Sequence, residues 1–192
     1  RAGLVPQAIS ASGYNSLLAC PYQFQARYAL GLREIEEVRE ALEKRDFGEY
    51  VHRILRQFHK RFPVATQVSR ADLEAALTEI STQVFRDATE ANYLSHAWRL
   101  RWTAMISAYL DWQLAREGEG WRFHAAEITR DIEIALPAGR RLVLQGRLDR
   151  VDERSAQGMT VYAVLDYKTR SAKALADSLR EAGEDVQLPV YV

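Results

Sequence analysis

The chain has 192 residues, 47% of them hydrophobic, with 26 basic and 26 acidic side chains. That is enough for a compact domain with its own core, and no apolar run is long enough to span a membrane. Zero net charge requires any nucleic-acid groove to be local, and a single cysteine, Cys20, excludes internal disulfides and an all-cysteine zinc site.

Leu4–Ile9 reads as an extended lead-in. After Ser10-Ala-Ser-Gly13 comes a short helical pattern over Tyr14–Ala19, which Cys20-Pro21 ends. Tyr22, Phe24, Tyr28, Leu30 and Leu32 give an aromatic-rich second helix whose side chains are expected to pack, with Cys20 a buried small hydrophobe. Glu34–Asp46 is charged without an apolar stripe and reads as a solvated linker or exposed helix. Phe47–Phe62 is a helix with Val51, Ile54, Leu55, Phe58 and Phe62 on its buried stripe. His52 lies beside that stripe, one turn after Gly48. The imidazole is expected to lean over the glycine, where space is left for a metal or a substrate oxygen. Taken alone, such a histidine reads first as a structural residue, and His59 as surface.

Ser69 and Asp72 form a capping pair for a helix carrying Leu73, Leu77, Ile80 and Val84. The next helix carries Trp98, Trp102, Met105, Tyr109 and Trp112 and stops at Gly118 and Gly120. An aromatic stripe at that spacing can stack bases, but core is the expected role. From Trp121 the period changes to two. Trp121–Leu136 is one long strand whose phase switches near Glu127, which predicts a bulge or bend. Pro137-Ala-Gly turns the chain into the Arg140–Asp152 strand, a hairpin. Ser155–Gly158 breaks the chain, and Met159–Thr169 is expected to be a strand covered on both faces. Ala172–Ala182 is short and helical, and Gln187 and Tyr191 share a face further on. The whole reads as one domain over 1–192, with a helical section over 1–120 and a sheet core over 121–192. The chain opens at Arg1 without a methionine and stops at Val192 inside the start of a helix. No signal peptide is visible, so a piece of a longer cytoplasmic protein is expected.

Asp149, Asp166 and Lys168 carry the chemistry. Asp166 and Lys168 close a hydrophobic run two residues apart, so in a strand both leave one face. Burying either alone is costly, and each needs a partner or a metal. Magnesium-assisted phosphodiester hydrolysis needs hard oxygen ligands, an attacking water and a cation near it. Asp149 and Asp166 supply carboxylates, the Tyr167 backbone carbonyl a neutral ligand, and Lys168 a group to hold or deprotonate the water. Glu127 is a candidate water-holding acid, and His52 completes the set from its helix. In isolation the Asp-x-Lys triplet reads equally well as a surface salt bridge.

The series Cys20-Pro21, Gly48-x-x-x-His52, Gly146-Arg-Leu-Asp149-Arg-x-Asp152, Asp166-Tyr-Lys168-Thr and Gln187-x-x-x-Tyr191 resembles the RecB-type branch of the PD-(D/E)XK nucleases. The resemblance covers about residues 10–192, and the lead-in is most similar to AddB-like helicase-nuclease subunits and RecB-family exonucleases. It implies an α/β fold: a restriction-endonuclease-like mixed sheet flanked by helices, with an N-terminal helical section. It implies a site of His52, Asp149, Asp166 and Lys168 using Mg2+ or Mn2+, and DNA handling by Gln187 and Tyr191. Phosphate contacts are expected from Arg147, Arg150, Arg170 and Lys173. Some relatives bind a four-iron cluster through four cysteines; with Cys20 alone, no iron-sulfur cluster is expected. The implied substrate is DNA, single-stranded or at ends, in repair, recombination or degradation of foreign DNA in a bacterium. The implied partner is a helicase subunit or a helicase domain of the same chain, since no G-x-x-x-x-G-K-[ST] occurs here. Two rivals stand beside this reading. One is a catalytically silent module that binds DNA or scaffolds a helicase. The other is an assembly domain that docks through an exposed Trp98–Trp112 helix.

Overall fold

Pro137-Ala-Gly139 forms a single turn between the two longest strands of the chain. The computed structural model describes residues 6–32, 44–89, 94–169, 171, 173 and 176. Its helices are α1 (Ala11–Ala19), α2 (Pro21–Phe24, continued as a π-helix over Gln25–Ala29), α3 (Lys44–Arg61), α4 (Arg70–Thr89) and α5 (Leu94–Gly118). Its strands are β1 (Ala8–Ser10), β2 (Arg122–Ala135), β3 (Arg141–Ala156) and β4 (Met159–Leu165). Strand order is β1-β3-β2, with β4 also paired to β3. β1 runs parallel to β3 and β4 antiparallel, so the sheet is mixed, and the α/β class expected from the sequence is the one observed. Contacts divide the chain into two compact units: Arg1–Glu37 with Ile128–Leu148 and Arg170–Val192, and Val38–Glu127 with Asp149–Thr169.

In the first unit, Ser10 caps α1, its Oγ accepting from the Gly13 N–H at 3.1 Å. The cap satisfies a free amide of the first turn, so the helix begins at Ala11, earlier than the apolar pattern indicates. β1 pairs with β3 from Ala8↔Val143 to Ser10↔Gln145. The aromatic block after Cys20 packs only in part: Phe24 and Tyr28 are half-buried and stack at 5.0 Å. Tyr22 is 84% exposed, Leu30 and Leu32 are exposed, and Cys20 is only half-buried. Most of the Glu34–Asp46 stretch lies outside the described residues.

The second unit holds the core. Val51, Ile54, Leu55 and Phe58 of α3 meet Leu73, Leu77, Ile80 and Val84 of α4, all buried as their spacing predicts. Ser69 Oγ accepts from the Asp72 N–H at 3.1 Å and donates to the Asp72 carboxylate at 2.6 Å, the expected cap of α4. On α5 the buried stripe is Trp102, Ile106, Leu110, Gln113 and Glu117. Met105 and Trp112 are exposed, so the predicted aromatic stripe is rotated about the helix axis from the true one. Two polar anchors set that phase. The Trp102 indole N–H donates to Ser81 Oγ at 2.7 Å, and Glu117 accepts from the Ala65 and Thr66 amides at 2.9 Å each. With Trp102 2% exposed, α5 does not offer its tryptophans as a continuous docking face.

The strands of this unit carry the acids. β2 bends at Glu127, whose φ of 52° is left-handed, the physical form of the predicted phase switch. β3 and β4 form a hairpin from Ala156↔Met159 to Arg150↔Leu165. Gln157 and Gly158, at φ 52° and 79°, close it with the left-handed pair that a two-residue hairpin turn requires. The break is thus shorter than the predicted Ser155–Gly158. β4 is not covered on both faces among the described residues. Met159, Val161 and Tyr162 are exposed, because an apolar run does not reveal whether a strand has a second layer above it.

Candidate active site

The hairpin register places the two acids. Arg150 stands opposite Leu165, so one step further Asp149 faces Asp166. Tyr167 then ties the strand end together. Its N–H donates to Asp149 Oδ2 at 2.9 Å. Its carbonyl lies 3.0 Å from His52 Nε2, and since a carbonyl only accepts, that nitrogen carries the proton. His52 Nδ1 is 3.4 Å from Asp149 Oδ1. Lys168 Nζ holds Asp166 Oδ2 at 2.7 Å. The acids are more deeply buried than their partners: Asp166 is 8% exposed and Lys168 24%. His52, Asp149, Asp166, Tyr167 and Lys168 therefore stand together, supplied by α3, β3 and the segment after β4.

Burial holds the Asp149 carboxyl above the usual carboxylate range, and the neighbouring Asp166 adds to the shift, against the Tyr167 N–H and His52. The donor set, two carboxylates with an amide carbonyl and an imidazole, fits a hard divalent ion. Among the described residues no group of three His, Cys, Asp or Glu side chains is arranged to hold a metal. Asp166 is turned to Lys168, and His52 to the Tyr167 carbonyl.

Gly48 lies beside the segment that follows β4. A Cβ there would lie 3.6 Å from Thr169 Oγ1, an ordinary van der Waals contact, so the segment after β4 runs beside α3 at this point. Arg101 fixes the same segment by donating to the Thr169 carbonyl at 3.0 Å. Glu127 is paired with Arg56, and both line a crevice with His52, Asp149 and Tyr167 whose free volume of ≈ 10 Å³ is about that of one water. Sequence reasoning missed Arg56. Its signal was its place one turn after His52 on the same helix face. A larger hollow of ≈ 840 Å³ is lined by α4 residues such as Glu74, Thr78 and Arg86 and holds none of these acids.

Arg150 corrects a prediction. It is 1% exposed and cannot meet a DNA phosphate. Arg150 and Asp152, two apart on β3, leave the same face and pair twice, at 2.6 and 2.9 Å. Arg116 Nε adds a third bond to Asp152 at 2.6 Å. Arg150 Nη1 reaches His59 Nε2 at 2.7 Å, Gln113 Oε1 at 2.8 Å and the Tyr109 and Tyr167 hydroxyls at 3.3 Å. His59, expected at the surface, is 1% exposed. Burial, then the Arg150 charge, pushes its pKa well below 6.5, so it is a neutral acceptor. Burial raises the hydroxyls of Tyr109 and Tyr167. Arginine reads as surface because it is rarely buried unpaired, and its acceptors here come from α3 and α5, far away in sequence. Arg147 is exposed on β3 in the first unit, and Lys173 is exposed. Arg170, Gln187 and Tyr191 lie outside the described residues.

With this geometry in hand, the comparisons are specific. The family described as the PD-(D/E)XK nuclease superfamily matches residues 8–192. A protein of Desulforudis audaxviator, named as one subunit of an ATP-dependent helicase/deoxyribonuclease, is 28% identical over 200 residues, 96% of this chain and 17% of that protein. A protein of the same name in Desulfitobacterium hafniense is 23% identical over 220 residues, 99% of the chain and 18% of the relative. An "Uncharacterized protein" of Rickettsia felis is 25% identical over 165 residues, 85% of the chain and 19% of the relative. The chain thus spans about a fifth of the length of the relatives it matches.

Proposed function

The chain belongs to the PD-(D/E)XK nuclease superfamily, and from that membership we propose that it is a single nuclease domain hydrolysing DNA phosphodiester bonds with Mg2+ or Mn2+. The observation that carries the reading is the meeting of Asp149, Asp166, Lys168 and His52 around the backbone of Tyr167. Asp149, Asp166, the Tyr167 carbonyl and His52 are the residues that would hold the ion. When bound, a divalent ion supplies Lewis-acid polarisation of the phosphate and of water. Lys168, already beside Asp166, positions the attacking water and stabilises negative charge on the phosphate. In this reading Glu127, paired with Arg56 at the crevice, accepts a hydrogen bond from that water. Arg147 and Lys173 contribute phosphate contacts, as do Arg170, Gln187 and Tyr191 beyond the described residues.

The substrate we favour is single-stranded DNA or DNA ends, in repair, recombination or degradation of foreign DNA in a bacterial cytoplasm. Relatives named as helicase/deoxyribonuclease subunits support a helicase partner or a helicase elsewhere in the same protein. No helix among the described residues is long and apolar enough to cross a membrane. Asp166→Ala and Lys168→Ala are expected to abolish cleavage of linear DNA while circular dichroism shows the wild-type fold. Cleavage by either variant at the wild-type rate would remove these residues from the site. A silent DNA-holding module differs in one respect: it has no need to bind metal through Asp149 and Asp166.

A further inference from the structure

Tyr167 sits between the second acid and the lysine, and three of its groups are engaged at once. Its N–H is bonded to Asp149 at 2.9 Å and its carbonyl to His52 at 3.0 Å. Its hydroxyl, on the far side of the ring, lies 3.3 Å from Arg150 Nη1 and shares a hydrogen bond with the Tyr109 hydroxyl. The ring itself meets His52 edge-on at 5.8 Å. Arg150 is in turn immobilised by Asp152, His59 and Gln113, all buried. One end of this side chain is therefore set in a rigid polar cluster, and the other end is the peptide that orients an acid and an imidazole.

We propose that the Tyr167 phenol, fixed by Arg150 and Tyr109, is a positioning residue of the acid site: it sets the Tyr167 peptide so that Asp149, His52 and the Tyr167 carbonyl converge on a divalent ion. The inference rests on the nuclease reading above and extends it to groups that touch neither DNA nor metal. Its physical basis is general. The Tyr167 peptide lies beyond the last paired residue of its strand and is held by side chains, not by ladder bonds, and outer partners that hold ligands in place are worth roughly 10–100-fold in metal affinity. Loss of the hydroxyl leaves Arg150 with the acceptors of His59, Gln113 and Asp152, so the fold is expected to survive.

The test is calorimetric titration of the purified protein with Mn2+, alongside thermal unfolding, for wild type, Tyr167→Phe and Ser81→Ala. Ser81→Ala is the control for a buried hydroxyl lost elsewhere, since Ser81 accepts from the Trp102 indole and donates to the Leu77 carbonyl in the helical core. The expected result is Mn2+ affinity weakened about tenfold in Tyr167→Phe, with Ser81→Ala binding as wild type does, whatever its change in Tm. Equal Mn2+ affinity in wild type and Tyr167→Phe overturns the positioning role and leaves the nuclease reading intact. Wild type that binds no Mn2+ overturns the metal reading itself, and this inference with it.

Discussion

Asp149 and Asp166 bring two carboxyl groups together in a half-buried setting, with Lys168 on Asp166 and His52 beside Asp149. They face each other across the end of the β3–β4 ladder, where Lys168 is bonded to Asp166. Like charges brought together out of water oppose each other and oppose folding. Asp149→Asn keeps the shape and the acceptor for the Tyr167 N–H while removing one charge. In metal-free buffer at neutral pH this variant is expected to melt at a higher temperature than wild type, and to cut no DNA. A lower Tm would show that the pair is already compensated without a metal. The opposing case is Asp152, a single buried carboxylate that accepts two bonds from Arg150 and a third from Arg116. The same motif thus supplies Asp149 to the site and Arg150 and Asp152 to its support, a division that spacing alone did not disclose.

At the scale of elements, α3 is the arm that brings His52 to the acids. Its buried stripe of Val51, Ile54, Leu55 and Phe58 fixes the helix against α4 and α5, and that fixes the angle at which His52 and Arg56 point. The stripe, the α4 cap and the bend at Glu127 were legible in the sequence because each is set by neighbours within a few residues. The phase of α5 and the burial of His59 were not, because their causes are long-range: Glu117 answers to Ala65 and Thr66, and His59 to Arg150. Glu117 also gives the elements a pH signature. Burial raises its pKa, but hydrogen bonds from Thr66, Gln113 and Ala65 outweigh it, and the net value falls below the ordinary 4.5. A depressed carboxylate contributes stability that is fully present above 4.5 and is lost as pH falls through the folded value. Wild type is therefore expected to lose stability on acidification below pH 4.5 more steeply than Glu117→Gln. At pH 7 that variant should be less stable by about 2 kcal/mol, because an amide cannot accept all of these bonds. Parallel acid melting curves for the two proteins would contradict this assignment.

For the whole molecule, the family match over residues 8–192 and the mixed sheet agree on what kind of protein this is. Five short motifs in a fixed order were enough to reach the family, and it was the resemblance, not a local rule, that grouped His52, Asp149, Asp166 and Lys168, since His52 meets the acids across about a hundred residues of sequence. They did not predict the buried polar cluster behind Tyr167, which exists only once α3, α5 and β3 are assembled. The relatives are about five times longer than this chain, and these residues carry no phosphate-cradling G-x-x-x-x-G-K-[ST]. Cleavage by this chain is accordingly expected to proceed without ATP, and a rate that rises on adding ATP would contradict that. The most direct measurement of the central claim is the rate at which the purified protein degrades linear single- and double-stranded DNA, first in chelator and then with Mg2+ or Mn2+ restored. The account predicts no cleavage in chelator and cleavage of at least one substrate when metal returns. Cleavage that persists in chelator, or none with either metal, would contradict it.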